Sequence, residues 1–186
     1  SLSAQVRINE VHYHPASEDI HEKYIELLNT GAAPVNLDGW RFSDGVDFTF
    51  TNVSIPAGGF LVVAADLVTF TNLHPTATNV VGNWTGRLSN SDEDIDLDHA
   101  TGARADSVHY ADKGDWAVRQ CGPLDHNHRG WLWNAAHDGG GSSLELINPA
   151  LSNNHGQNWG ASLVPNGTPG APNSILQTNI APIILD

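Results

Sequence analysis

Apolar and polar residues alternate along several short stretches of this chain, with the period of two that places successive side chains on opposite faces of a β-strand. The first stretch, residues 5–13, alternates through Val6 and Ile8 and then changes phase at Val11 and Tyr13. This change of phase predicts an opening strand with a β-bulge. Further strands are predicted over residues 23–29, 35–42, 47–50 and 143–149. The chain is therefore expected to be all-β.

Other segments depart from simple alternation. Residues 60–65 are apolar at every position, which predicts a strand buried on both faces. Asp66 is predicted to cap one short helical turn, because aspartate accepts hydrogen bonds from free amides at a helix start. Residues 94–98 and 105–110 alternate again and predict a hairpin. Residues 112–143 lose the alternation and are interpreted as a long inserted loop.

About nine short strands with frequent turns, and no long crossover between them, predict one two-sheet β-sandwich with long C-terminal loops. We assign residues 1–174 to this domain and residues 175–186 to a linker or to the start of a following domain. The sequence contains no Met, so we expect it to be a piece of a longer protein.

The charge narrows the range of partners. The 186 residues include 21 acidic and 8 basic ones, for a net charge of -13. Because nucleic-acid binding draws most of its energy from Lys and Arg contacts with phosphates, a nucleic-acid partner is set aside. The single cysteine, Cys121, cannot form an internal disulfide. No apolar run reaches the roughly 18 residues of a membrane span, so none is predicted.

Several short motifs occur in a characteristic order. The first series comprises VRINEV at residues 6–11, EKYIEL at 22–27, NTG at 29–31, VNLDGW at 35–40 and IPAGG at 55–59. A later series comprises SLEL at 143–146, NW at 158–159, GTPG at 167–170 and Asn173. With these motifs, residues 5–174 resemble the lamin tail domain family in its bacterial form.

The resemblance implies an immunoglobulin-like sandwich without catalytic residues. Bacterial members of the family lie within exported multidomain proteins, beside hydrolases or adhesion-type modules, which implies an extracellular or cell-surface location. The implied partners are an unknown protein or glycan and the neighbouring domains of the same chain. Residues 118–133 depart from the family pattern, because they are longer and richer in His and Trp than expected. Any specialised function is expected there.

Trp131 and Trp133 would face the same side of an extended segment, and Arg129 joins them as a candidate ligand-binding residue. Paired aromatic rings stack on sugar rings or fill a pocket of a protein partner. The alternative is that the rings bury the long loop against the sandwich. We favour burial, because a loop of this length needs a small core of its own to stay ordered.

Two sets of residues have the chemistry of metal ligands. His126, His128 and Asp125, together with Cys121 or His137, supply the ligand types of a zinc site. Asp92 and Glu93, in a predicted turn, are the candidates for calcium. The alternating acids that follow lie about 6.6 to 6.8 Å apart along a strand, too far for one ion. A solvated acidic face and ordinary loop histidines explain both sets, so no cofactor is predicted, with structural zinc or calcium as the alternative.

Glu10 and Glu26 stand in otherwise apolar strands and have the chemistry of the carboxylate pair that glycoside hydrolysis needs. Outward-facing positions, or pairing with Lys23, Arg7 or Arg41, are the favoured interpretation. The sequence contains no phosphate loop and no HExxH metal motif. It therefore predicts a non-catalytic binding or scaffolding module, with a metal-stabilised spacer and a hydrolase domain as the alternatives.

Overall fold

Two β-sheets stack face to face, as the alternating pattern predicts. The structure is a computed structural model, and it describes residues 5–178. One hydrophobic core fills the space between the sheets, with side chains such as Ile8, Leu27 and Phe42 fully buried in it. The prediction of an all-β, immunoglobulin-like sandwich is confirmed.

Six strands form the first sheet, and strands are numbered here in chain order. Their spatial order is β15 (Trp159–Ala161), β14 (Leu144–Leu146), β1 (Val6–His12), β2 (Tyr24–Asn29), β7 (Phe60–Ala64) and β8 (Val80–Gly82). The pairing of β1 with β2 shifts register between Ile8 and Glu10, which confirms the predicted bulge. Because of this shift, Val11 faces the core and Glu10 turns to the outer face of the sheet.

Five strands form the second sheet, and two further strands form a separate ribbon. The order of the second sheet is β11 (Arg104–Ala111), β10 (Asp92–Asp98), β4 (Arg41–Asp44), β5 (Val46–Thr49) and β9 (Thr85–Gly86). The ribbon pairs β3 (Val35–Asn36) with β6 (Ser54–Ile55). The antiparallel pairing of β10 with β11 confirms the predicted hairpin.

A short helix, α1 (Leu67–Leu73), follows β7 and leads to β8. The Asp66 side chain accepts a hydrogen bond from the Thr69 amide at 2.8 Å, so the predicted cap is confirmed. Strands β7 and β8 run parallel. The expectation that no crossover joins parallel strands is therefore wrong, because β8 has only three residues and too little pattern to be seen in the sequence.

The interpretation of residues 112–143 as a loop is wrong for residues 118–134. Residues 118–134 form a β-hairpin of two strands, β12 (Val118–Asp125) and β13 (His128–Asn134). His126 and Asn127 turn the chain with φ values of 45° and 64°, the left-handed conformation of a tight hairpin turn. Alternation marks only strands with one buried face, and nearly every residue of this hairpin is exposed.

The last described segment, residues 162–177, crosses the outer face of the six-stranded sheet, and we call it the C-terminal clasp. The Asn173 side-chain amide donates to the backbone oxygens of Asn9 and Leu146, at 3.0 and 2.8 Å. The Gln177 amide donates to Ile147. Residues 175–177 are thus still attached to the sandwich. The proposed boundary after residue 174 stays a prediction, and residues 179–186 of the predicted linker lie outside the described part.

Candidate functional site

The hairpin β12–β13 presents large apolar side chains to solvent. Trp131 is 56% exposed, Leu132 is 54% exposed and Trp133 is 45% exposed. Within residues 5–178, no other helix or strand packs extensively on the hairpin. The favoured prediction that the two Trp rings are buried is therefore wrong, since the pairing of β12 with β13 gives the segment an order that needs no core.

One face of the hairpin combines aromatic and cationic side chains. Trp131 lies opposite Cys121, Trp133 opposite Arg119, and Arg129 opposite Leu124. Directly opposed residues share a face, and so do residues two apart on one strand. The structure thus brings Trp131, Trp133 and Arg129 to one face, together with Arg119, Cys121 and Leu124. We call these six residues the aromatic face.

A cation–π contact organises part of this face. The Arg119 guanidinium carbon lies 4.3 Å from the centre of the Trp131 ring. Neither Arg119 nor Arg129 forms an ion pair with any described residue. In a protein of net charge -13, the aromatic face is a local concentration of unpaired positive charge.

The opposite face of the hairpin is apolar in part as well. Val118 is 64% exposed and shares this face with Leu132 and Gln120. His128 and Asp125 are paired at its far end. The hairpin therefore exposes apolar groups on both faces. Such exposure is unusual for a segment that remains in contact with water.

The zinc candidates are only partly brought together. His126 Nδ1 lies 2.6 Å from the carboxylate of Asp125, and both side chains are exposed at the hairpin tip. His137 instead bonds the Tyr13 hydroxyl and the Trp116 carbonyl, at 2.7 Å each. Among residues 5–178, no group of three or more His, Cys, Asp or Glu side chains is placed to hold a metal ion.

The calcium candidates are not in a turn. Asp92 and Glu93 are the first two residues of β10, so their side chains point to opposite faces of the strand. The Glu93 carboxylate accepts a hydrogen bond from the Ser89 amide at 2.7 Å. Burial raises the pKa of Glu93 above its usual value. The two residues do not converge on one ion.

Three glutamates form a buried cluster that the sequence did not reveal. Glu10 lies opposite Glu26 on one side and opposite Glu145 on the other, and all three side chains are fully buried. Glu10 and Glu26 do lie on the outer face of the sheet, as predicted, but that face is covered rather than solvated, and the alternative pairing with Lys23, Arg7 or Arg41 is not formed. The bulge in β1 turns Glu10 to this covered face.

The C-terminal clasp covers the glutamate cluster and supplies most of its hydrogen-bond donors. Glu10 Oε1 accepts from the Tyr24 hydroxyl at 2.7 Å and from the Thr168 amide at 2.9 Å. Glu26 accepts from the Gly170 amide at 2.5 Å. Glu145 accepts from the Thr168 hydroxyl at 2.8 Å. The GTPG motif of the sequence thus donates to all three carboxylates, and Ser174 and Ile175 of the clasp donate further hydrogen bonds to Glu145.

Burial sets the protonation of this cluster. It raises the pKa of Glu10 to about 7, and it raises the pKa of Glu26 well above the ordinary value, with the charge of Glu10 adding to the effect. Because the clasp covers both carboxyl groups, they face its backbone rather than a cleft. The geometry of a glycoside hydrolase, with two carboxylates flanking a substrate, is not formed by this pair.

Two adjoining depressions of about 410 and 540 Å³ lie at one end of the sandwich. Both include Ile20 and Arg87 in their walls, and Lys23 lies at the base of the smaller one. Lys23 donates to the Leu88 carbonyl oxygen at 2.8 Å and to the Asn90 side-chain oxygen at 2.5 Å. Burial, and secondarily the charge of Arg87, lowers the pKa of Lys23 to about 8.

Comparison with known families gives one match. The family described as the Lamin Tail Domain matches residues 1–112. This range covers β1 to β11 and leaves the hairpin β12–β13 outside the match. No curated protein matches the chain significantly. In the described part of the chain, no helix has the length and apolar character needed to cross a membrane.

Proposed function

The chain belongs to the lamin tail domain family, and from that premise we propose that it is a non-catalytic binding module that docks a protein partner on the hairpin β12–β13. The observation that carries the proposal is the exposure of apolar side chains on both faces of this hairpin. The sandwich then serves as the rigid support that displays it.

The energetics favour a partner for this hairpin. Trp side chains bury a large area when a partner covers them, and they are common among the residues that dominate interface energy. Trp131 and Trp133 are both near half exposed in the isolated chain. A partner that enclosed the hairpin would remove both rings from water together with Leu132 and Val118 on the other face.

The chemistry of the partner follows from the same residues. A glycan would stack on one face of the aromatic pair, whereas apolar groups on both faces suit a protein cleft or a sheet edge that encloses the hairpin. The unpaired guanidinium groups of Arg119 and Arg129 favour carboxylates on that partner. The proposed partner is therefore a protein with an acidic rim around an apolar groove.

The setting of the module is a further part of the proposal. Bacterial proteins of this family type, which the sequence resembles, place the domain among other exported modules. We propose the same setting here, at the cell surface or outside the cell. The neighbouring domains of such a protein would then be present when the hairpin docks, and would supply the activity that this module lacks.

Arrays of proteins and of glycans, probed with the chain and with a Trp131→Ala, Trp133→Ala variant, test the proposal. We expect binding to acidic proteins, weakened by salt, and a loss of about tenfold or more in the variant. The matched control replaces two exposed apolar residues elsewhere, Val68 and Leu163, with Ala and keeps full binding. Binding to glycans alone, or protein binding that survives the loss of both Trp rings, would contradict the proposal.

A further inference from the structure

The contact between Lys23 and Asn90 joins the two sheets of the sandwich. Lys23 directly precedes β2 in the six-stranded sheet, and Asn90 lies just ahead of β10 in the five-stranded sheet. The two residues are 67 positions apart in the chain. Their contact is independent of the hairpin and of the function proposed for it.

Lys23 is an unusual lysine because it is only 2% exposed and forms no ion pair with any carboxylate in the described part of the chain. Its ammonium donates only to neutral oxygens, those of Leu88 and Asn90. Burial disfavours the charged form of an amine and lowers the pKa of Lys23 to about 8. The neutral, nucleophilic form of this amine is therefore reached at a lower pH than in an ordinary lysine.

The carboxamide of Asn90 is within reach of this amine. The Lys23 Nζ to Asn90 Oδ1 distance is 2.5 Å, and a carbonyl bond is about 1.23 Å long, so Nζ lies no more than about 3.7 Å from the Asn90 Cγ. Attack requires the Asn90 side chain to rotate so that the face of the carbonyl carbon turns towards the amine. This separation is close to that of reacting atoms held ready for attack.

A carboxylate stands at the other end of the same amide. Glu18 Oε2 lies 3.4 Å from Asn90 Nδ2, the nitrogen that would leave. Glu93 lines the same depression as Glu18 and Asn90. The site thus holds a buried amine, an amide carbon and a proton carrier at the leaving nitrogen.

We propose that Lys23 and Asn90 form an intramolecular isopeptide bond. The lone pair of neutral Lys23 Nζ attacks Asn90 Cγ, the new C–N bond forms, and the carbonyl electron pair moves to Oδ1. The proton lost from Nζ passes through the Glu18 carboxylate to Nδ2. The carbonyl then re-forms, the Cγ–Nδ2 bond breaks, and ammonia leaves. No electrons are gained or lost, so no oxidant or reductant is needed.

The product would be a covalent brace across the sandwich. It would close a loop of the chain that runs from Lys23 to Asn90 and contains strands β2 to β9 and the helix α1. Such closure restricts the unfolded chain. The hydrogen bond to the Leu88 carbonyl would position the amine before reaction.

Intact mass spectrometry of the purified chain tests this proposal. We expect a mass about 17 Da below that of the sequence, the mass of one ammonia, and a branched peptide that joins Lys23 to Asn90 after proteolysis. Lys23→Arg and Asn90→Ala variants should have their full sequence masses. Glu18→Gln should slow the loss of ammonia at least tenfold.

Two controls keep the result unambiguous. Asn166 is followed by Gly167, and an Asn-Gly pair also loses ammonia when it cyclises. A mass loss that persists in Asn90→Ala and disappears in Asn166→Gln would therefore overturn the proposal. So would a wild-type chain that keeps its full sequence mass after prolonged folding at pH 8, whatever the variants do.

Discussion

The outer face of the six-stranded sheet and the hairpin β12–β13 both invert the usual distribution of side chains, in opposite directions. The outer face buries three carboxyl groups, those of Glu10, Glu26 and Glu145, whereas the hairpin exposes the rings of Trp131 and Trp133. Each buried carboxyl group has donors from the clasp. The exposed rings gain no such cover. The fold itself thus compensates the buried carboxyl groups, whereas the exposed Trp rings would be covered only by a partner.

The largest effect is expected where the clasp meets the cluster. Gly167 has φ of +85°, and a Cβ atom there would collide with the Glu10 carboxylate, the Tyr24 hydroxyl and the Ser143 hydroxyl. We predict that Gly167→Ala lowers the free energy of unfolding by about 3 kcal/mol or more, because a strained backbone and a steric clash add together. Urea denaturation followed by Trp fluorescence measures it.

Gly58 is the matched control for this substitution. It has φ of +64°, but a Cβ atom there would meet nothing within 4 Å. Gly58→Ala should therefore show only the backbone strain, about 1 kcal/mol. If Gly167→Ala and Gly58→Ala lose the same free energy of unfolding, the clasp is not packed tightly against the glutamate cluster. The cluster would then lack the cover within the fold that the contrast with the hairpin requires.

A smaller effect is expected from the protonation of Glu10. Its pKa is about 7 in the folded chain against an ordinary value of 4.5, because burial favours the neutral form. The folded state then holds the proton more tightly than the unfolded state. The stabilisation from this proton is complete below about pH 4.5 and is lost as the pH rises towards 7.

Glu10→Gln imitates the protonated carboxyl group at every pH. We predict that the unfolding free energy of this variant, relative to the wild type, rises by about 2 kcal/mol between pH 5 and pH 8. Buried His12, whose pKa burial lowers to about 4, titrates in both proteins and largely cancels in the difference. Urea denaturation at the two pH values provides the measurement. A difference that stays flat or falls would show that Glu10 is ionised in the fold.

The sequence predicted the strands of the sandwich far better than the cover of its outer face. The change of phase between Ile8 and Val11 correctly indicated the bulge, because a period-two pattern reports which face each side chain takes. It does not report what lies over that face. The donor that covers Glu10, the Thr168 amide, is 158 residues away in the chain. The GTPG motif and Asn173 pointed to that region, and they did so through resemblance alone.

The hairpin escaped prediction for a different reason. Trp131 and Trp133 were correctly expected to share a face, since that follows from extended geometry alone. The strand itself was missed because apolar residues such as Leu132 and Val118 occupy its other face. Because both faces mix apolar and polar residues, the hairpin shows no period of two. The pairing of its two strands depends on a turn at His126 and Asn127 that contains no glycine.

The smallest effect on stability is expected at the hairpin. Trp131→Ala should change the free energy of unfolding by less than about 1 kcal/mol, because the ring is 56% exposed and loses mainly an exposed cation–π contact with Arg119. Trp159 is 5% exposed, and Trp159→Ala should cost about 3 to 5 kcal/mol in the same urea titration. A loss at Trp131 as large as that at Trp159 would place the ring within the fold. Its exposure would then no longer point to a partner. A small loss of unfolding free energy in Trp131→Ala, together with a loss of binding in the variant that lacks both rings, would assign the rings to recognition. The reason is that a side chain that adds little to the stability of the isolated fold is then needed only for binding.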